Sequence, residues 1–137
     1  MRKLSILVVL TLISFACSEV NEEVTEIKET APMISETPFI HHVYFYLKNP
    51  ESAEDKAKMR EGLEFLATVP TIQKHFIGVP ADTDREVIDN TYAYSWLCFF
   101  ENAADQASYQ TDPIHLKFIE DYGSIWETVK VYDSVME

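Results

Sequence analysis

The chain of 137 residues is long enough for one domain, and its 47% hydrophobic content, with 12% aromatics, allows a real core. Its 11 basic and 23 acidic residues give a net charge of −12. That balance repels nucleic-acid phosphates and anionic lipid headgroups, and no basic stripe offsets it, so a nucleic-acid partner is not expected.

The chain opens as an export signal. Arg2 and Lys3 form a basic start, Leu4 to Phe15 is apolar, and small Ala16 precedes Cys17. This is the order of a secretory signal peptide, and the apolar run is shorter than the ~20 residues of a membrane span. Ser14-Phe15-Ala16-Cys17 also resembles a bacterial lipobox, in which the cysteine is lipidated and becomes the first mature residue. Ser14 and Phe15 depart from its commonest form, so an ordinary signal peptide cut near Ala16 is the alternative. The expectation is a signal peptide over 1–16, lipidation of Cys17 and a membrane-anchored lipoprotein facing the periplasm or the cell exterior. Cys98 is then left without an intramolecular partner, so no disulfide framework is expected. Residues 17–37 carry six Glu, one Lys, one Pro and no aromatic, the composition of a self-repelling, flexible tether.

The domain proper is expected over 38–137. Phe39 to Lys48 is dense in aromatic and β-branched residues and ends at Asn49-Pro50, which predicts a first strand and a turn. Ser52 with Asp55 three residues on predicts a helix N-cap, and Met59, Leu63 and Leu66 follow at helical spacing. Gly62 costs that helix ~1 kcal/mol relative to Ala, so either the helix absorbs it or something packs close there. Val69-Pro70 ends the helix. Ile72 to Val79 reads as a second strand, residues 78–91 as a polar loop, and Thr91 to Phe100 as a third strand. Asn102 caps a short helix over Ala103 to Tyr109. Asp112-Pro113 starts another that runs to about Tyr122 and stops at Gly123, and Thr128 to Val135 is the fourth strand.

The order is β-α-β-β-α-β, the split βαβ pattern of an α+β, ferredoxin-like sandwich. Helices would cover one face of the sheet. The first strand is apolar or aromatic on both faces, with Val43, Phe45 and Leu47 alternating with His42, Tyr44 and Tyr46. A bare face of that character calls for a partner, and a homodimer closed back to back into a barrel is the expectation.

Three stretches carry a family resemblance: His41 to Lys48, Tyr94 to Asn102, and Tyr109-Gln110-Thr111-Asp112-Pro113-Ile114-His115. Trp126 to Asp133 also fits. Together they resemble the stress-responsive dimeric A/B barrel (Dabb) domain, whose motif is a Tyr followed shortly by His-Pro-x-His. This chain keeps Tyr109, Pro113 and His115 and has Asp112 in place of the first His. The resemblance implies a dimeric α+β barrel with a cavity between sheet and helices. By it, the face carrying His42, Tyr44 and Tyr46 joins Tyr94, Trp96 and Cys98, points to the helices and lines that cavity with Trp126. His41 would then face the dimer seam.

His115 falls in the first turn of its helix, where the free N–H groups disfavour imidazolium, so it is a candidate base. A plant polyketide cyclase of this fold uses a matching Tyr and His, which implies His115 as general base and Tyr109 as hydrogen-bond donor to a carbonyl or enolate. The bland reading is a histidine that pins helix to sheet. Asp112 and His115 have i, i+3 spacing, but no further ligand is placed, so no metal is expected. Haem enzymes share the barrel, and His115 alone could be an axial ligand, but no cofactor is expected. Cys98 reads as a core thiol. The favoured function is binding of a small apolar or aromatic ligand by His42, Tyr44, Tyr46, Tyr94, Trp96 and Trp126. The alternatives are a cyclase- or lyase-type enzyme using Tyr109 and His115, and a stress-related structural dimer without ligand.

Overall fold

The computed structural model describes residues 34–137. The expected signal peptide, Cys17 and the tether as far as residue 33 lie outside the described residues. The chain forms, in order, β1 (Phe39–Leu47), α1 (Ala53–Leu66), β2 (Lys74–Gly78), β3 (Tyr94–Phe100), α2 (Ala103–Thr111), α3 (Pro113–Tyr122) and β4 (Trp126–Val135). One antiparallel sheet has the strand order β2-β3-β1-β4, the ferredoxin-like arrangement.

The helix boundaries follow the capping chemistry. Ser52 Oγ accepts from the Asp55 N–H at 3.1 Å, and Asn102 Oδ1 accepts from the N–H groups of Ala104 and Asp105. Asp112 caps α3 by accepting from Ile114 N–H at 2.8 Å, with Pro113 at the first helical position. After Leu66 the backbone tightens into three-residue turns, Thr68 to Phe65 and Val69 to Leu66, and Pro70 follows. A further turn, Ile72 N–H to Val69 carbonyl, delays β2 until Lys74.

Met59, Leu63 and Leu66 are the buried stripe of α1, at 0, 0 and 1% exposure. Gly62 lies on the same face, and the reason is close approach: a Cβ there would meet the Tyr122 ring of α3 at 2.7 Å. The Tyr122 hydroxyl also donates to Glu61 at 3.2 Å, which keeps the ring in place. Gly62→Ala would gain ~1 kcal/mol in helix propensity but force two helices apart. We expect a net loss of about 1–2 kcal/mol in urea unfolding; a stabilised variant would show that α1 and α3 do not meet this way.

The sheet corrects one expectation. In β1 the residues facing the helices are His41, Val43, Phe45 and Leu47, each 4% exposed. His42, Tyr44 and Tyr46 lie on the outer face, half-buried. The first strand is therefore turned by one residue from the expected phase, and His41 belongs to the core rather than to the outer face. The pairing shows why. His41, Val43 and Phe45 stand opposite Cys98, Trp96 and Tyr94, and directly paired residues share a face. The set with Val43, Phe45 and Leu47 goes inside and carries His41 with it, whereas the set with polar tips tolerates water. The β3 assignment holds: Tyr94, Trp96 and Cys98 share the helix side.

On the outer face, Ile40, Leu97, Phe99 and Phe76 continue the apolar surface, with Phe76 49% and Tyr132 59% exposed. No helix covers it.

Candidate functional site

The inner face of the sheet and helices α2 and α3 border a half-open cavity of about 310 Å3 toward the β4 side. Phe45, Phe118, Trp126, Val129 and Val131 supply apolar walls, and His41, Trp96, Tyr109, His115 and Asp133 supply the polar groups. Phe118 stacks on Trp126 at 5.3 Å, and Trp126 lies 5.3 Å from Phe45, so one wall is a packed aromatic stack.

Tyr109 and His115 are brought together as the sequence suggests. Asp112, by capping α3, turns the chain so that the two rings stand 4.5 Å apart. The His115 Nδ1 lies 3.2 Å from the carbonyl oxygen of Gln110. A carbonyl can only accept, so Nδ1 carries the proton and Nε2 keeps the lone pair. Burial lowers the His115 pKa; the hydrogen bond to the Gln110 carbonyl opposes it in part, and nearby His41 and Asp112 add smaller effects of opposite sign. The ring is thus a neutral base at neutral pH. Tyr109 is 1% exposed, and burial pushes its phenol well above the ordinary range, so it is a neutral O–H donor.

His41 was placed on the wrong face by sequence reasoning, and Asp133 was missed. His41 Nδ1 donates to the Asp133 carboxylate at 2.6 Å, and its ring sits 5.7 Å from Tyr109. The imidazole is buried while the carboxylate remains 42% exposed. A signal existed: Asp133 falls in phase with Val129 and Val131, an acid on an otherwise apolar strand face. Removing its carboxylate orphans a buried ring nitrogen. We expect Asp133→Ala to cost about 1–2 kcal/mol, and His41→Leu/Asp133→Leu to cost less than the two single changes together. Strict additivity in that cycle would deny the pair.

The remaining expected site residues separate. Trp96 and Trp126 line this cavity. Tyr94 shares the inner face, but its hydroxyl donates to the Lys56 carbonyl and it stands outside the cavity lining. His42, Tyr44 and Tyr46 line a different concavity on the outer face. Cys98 is fully buried, and burial raises its thiol far above the reactive range. The Trp96 indole N–H lies near Cys98 and Tyr109 and slightly favours their anions, yet makes no hydrogen bond of good geometry. Among the described residues no three His, Cys, Asp or Glu side chains come together as a metal site.

The Stress responsive A/B Barrel Domain (Dabb) profile matches residues 39–136. The chain belongs to the Dabb family. Among solved structures, it is 18% identical to a Dabb family protein with a ferredoxin-like fold from Mesorhizobium loti, covering 74% of this chain and 99% of that one at a TM-score of 0.62. A dimeric protein of unknown function from Bacteroides fragilis is 18% identical, with coverage of 76 and 100% and a TM-score of 0.58. A hydroxynitrile lyase from Passiflora edulis is 17% identical, with coverage of 73 and 94% and a TM-score of 0.60. At these identities the likeness is one of fold. No curated protein sequence matches the chain. Within the Dabb frame, this chain's own residues give the candidate site its character: an apolar cavity, the lone pair of His115 Nε2, the Tyr109 hydroxyl, and a carboxylate-held imidazole at His41.

Proposed function

We propose that this Dabb protein is exported, anchored through lipidated Cys17, and binds a small apolar or aromatic molecule in its inner cavity. The observation that carries the reading is the cavity of about 310 Å3, with aromatic walls and a few polar groups converging on it, the usual form of a small-molecule site. A core packed solid by its aromatics would instead have favoured a structural dimer without ligand.

A second reading is favoured by the His115 tautomer. With Nδ1 held by the Gln110 carbonyl and Nε2 free, His115 can take a proton from bound substrate while Tyr109 donates to a carbonyl or enolate oxygen. That is chemistry of the lyase or cyclase type. A hydroxynitrile lyase on the same fold is in keeping with it, though the shared fold assigns no reaction.

The outer face, which no helix among the described residues covers, supports a homodimer, in which Leu97, Phe99 and Phe76 would be buried against a second copy. A dimeric relative from Bacteroides fragilis points the same way. Native mass spectrometry of the chain purified from its own host reads both claims together. We expect twice the protomer mass plus a copurifying small molecule, and a lipid-modified N-terminus. Removal of that molecule by Phe118→Ala or Trp126→Ala would place it in the inner cavity. A ligand-free monomer would overturn both readings.

A further inference from the structure

Two hydrogen-bonding groups of the inner cavity are not spent on the protein itself. Tyr109 is 1% exposed and packs on Phe100 at 5.1 Å, yet it lines the cavity. Its phenol proton has no good acceptor in the two side chains closest to its oxygen, because the Trp96 indole can only donate and the Cys98 thiol accepts weakly. His115 Nδ1 gives its proton to the Gln110 carbonyl, so Nε2 keeps a lone pair. The two rings stand 4.5 Å apart and line the same cavity, which pairs an unspent donor with an unspent acceptor.

The charge of the lining narrows the ligand further. Asp133 is the one acid among the residues that line the cavity, and neither Lys nor Arg stands there. It is bound to His41 at 2.6 Å, and whichever partner holds the proton, the pair brings no net positive charge. A carboxylate entering this space would give up its hydration with no free cation to receive it, beside Asp133 and in a chain of net charge −12. An ammonium would have to compete with His41 for the Asp133 carboxylate and would oppose the Tyr109 proton.

Hydrogen-bond matching separates the uncharged groups. A carbonyl or ether oxygen accepts from Tyr109 but brings no hydrogen to His115 Nε2. A hydroxyl serves both, accepting at its oxygen and donating its hydrogen. A polar group left unmatched in such a space is costly, so the difference is felt as affinity.

We propose that the inner cavity selects an uncharged, hydroxyl-bearing ligand, an alcohol or phenol whose hydroxyl sits between Tyr109 and His115, and that the cation-free lining with Asp133 rejects carboxylates. The proposal rests on the reading of the cavity as a ligand site and adds the chemical class that it takes. At about 310 Å3 the cavity is at the small end of ligand pockets, which suits a molecule of one or two rings, and the stack of Phe118 on Trp126 offers an aromatic wall to it.

The test titrates the full chain with four compounds of one shape: 2-naphthylmethanol, 2-methylnaphthalene, 2-naphthaldehyde and 2-naphthoate. The readout is the NMR resonances of the indole N–H groups of Trp96 and Trp126, the two tryptophans of the chain, both of which line the cavity. The alcohol is expected to bind saturably, at least about tenfold tighter than the hydrocarbon and the aldehyde and about a hundredfold tighter than the naphthoate. Tyr109→Phe and His115→Leu should each bring the alcohol to within about threefold of the hydrocarbon, and either variant suffices if the other does not fold. Comparing ligands within one variant cancels any general loosening of the cavity. Asp133→Asn should improve the naphthoate about tenfold relative to the alcohol, and if that variant does not fold, raising the salt on the parent chain should narrow the same ratio. A hydrocarbon that binds as tightly as the alcohol, a naphthoate that matches it, or an alcohol preference that survives loss of Tyr109 and of His115 would each overturn the selection and leave the cavity reading standing. No saturable shift with any of the four compounds would remove the cavity reading and this proposal with it.

Discussion

Replacing Trp96 with Ala is expected to cost about 3–5 kcal/mol. The indole is fully buried, stacks on His75 at 5.2 Å and forms a wall of the inner cavity. It sits mid-strand in β3, opposite Val43 of β1 and Ile77 of β2, so the sheet cannot close over the space it leaves. Against a total stability of ~5–15 kcal/mol for a domain of this size, that loss leaves a large unfolded fraction at moderate urea. Trp96→Phe is the informative control. It keeps most of the ring and deletes an indole N–H that is buried without a hydrogen-bond partner. An orphaned donor costs about 1–3 kcal/mol, so its removal offsets part of the lost burial, and Trp96→Phe should cost under ~2 kcal/mol. Equal losses for Ala and Phe would mean that the N–H is satisfied and that the ring volume matters little.

The second large effect concerns chemistry rather than folding. If the molecule that copurifies with the chain is turned over, His115→Ala is expected to lower kcat by about 10²–10⁴, the usual contribution of a positioned base. His115 is only half-buried and its polar bond is to a backbone carbonyl, so the fold should survive the change. Tyr109→Phe removes the donor without emptying the core and should also lower kcat while leaving ligand binding in place. The pH profile has a definite sign. Because burial lowers the His115 pKa, the neutral base persists below the ordinary histidine value of ~6.5, and kcat should hold through that value and decline only at lower pH. The same shift means that the unfolded chain binds the proton first. Stability is full above ~6.5 and falls as the pH drops toward the folded value. Turnover unchanged in His115→Ala would end the catalytic reading and leave the binding one standing.

Much of this architecture is local and was legible in the chain. Ser52, Asn102, Asp112 and Pro113 mark helix starts through bonds that reach only two or three residues. Met59, Leu63 and Leu66 announce the buried face of α1 by their spacing alone. Tyr109 and His115 are six residues apart, and the intervening cap decides their meeting. Each of these signals rests on near neighbours, and the surroundings did not override it.

What the chain left open was which side of β1 faces inward. A period of two separates His41, Val43, Phe45 and Leu47 from His42, Tyr44 and Tyr46, but it does not say which set meets the helices. Both sets are rich in large side chains, and the family resemblance as read from the sequence turns His42, Tyr44 and Tyr46 toward the helices. The purely aliphatic and aromatic members Val43, Phe45 and Leu47 of the other set were the available clue. The tertiary structure decides the matter through Asp133, ninety-two residues away in β4, which pairs with His41 and makes its burial tolerable. Only strand register can create such a contact, because it depends on how β1 lies between β3 and β4. The same register sends His42, Tyr44 and Tyr46 to the outer face, away from the cavity that Trp96 and Trp126 line. Sequence alone determined the family, the elements and the Tyr109–His115 pair. Packing decided which aromatics belong with them, since a side chain's face is settled by the partners that desolvate it.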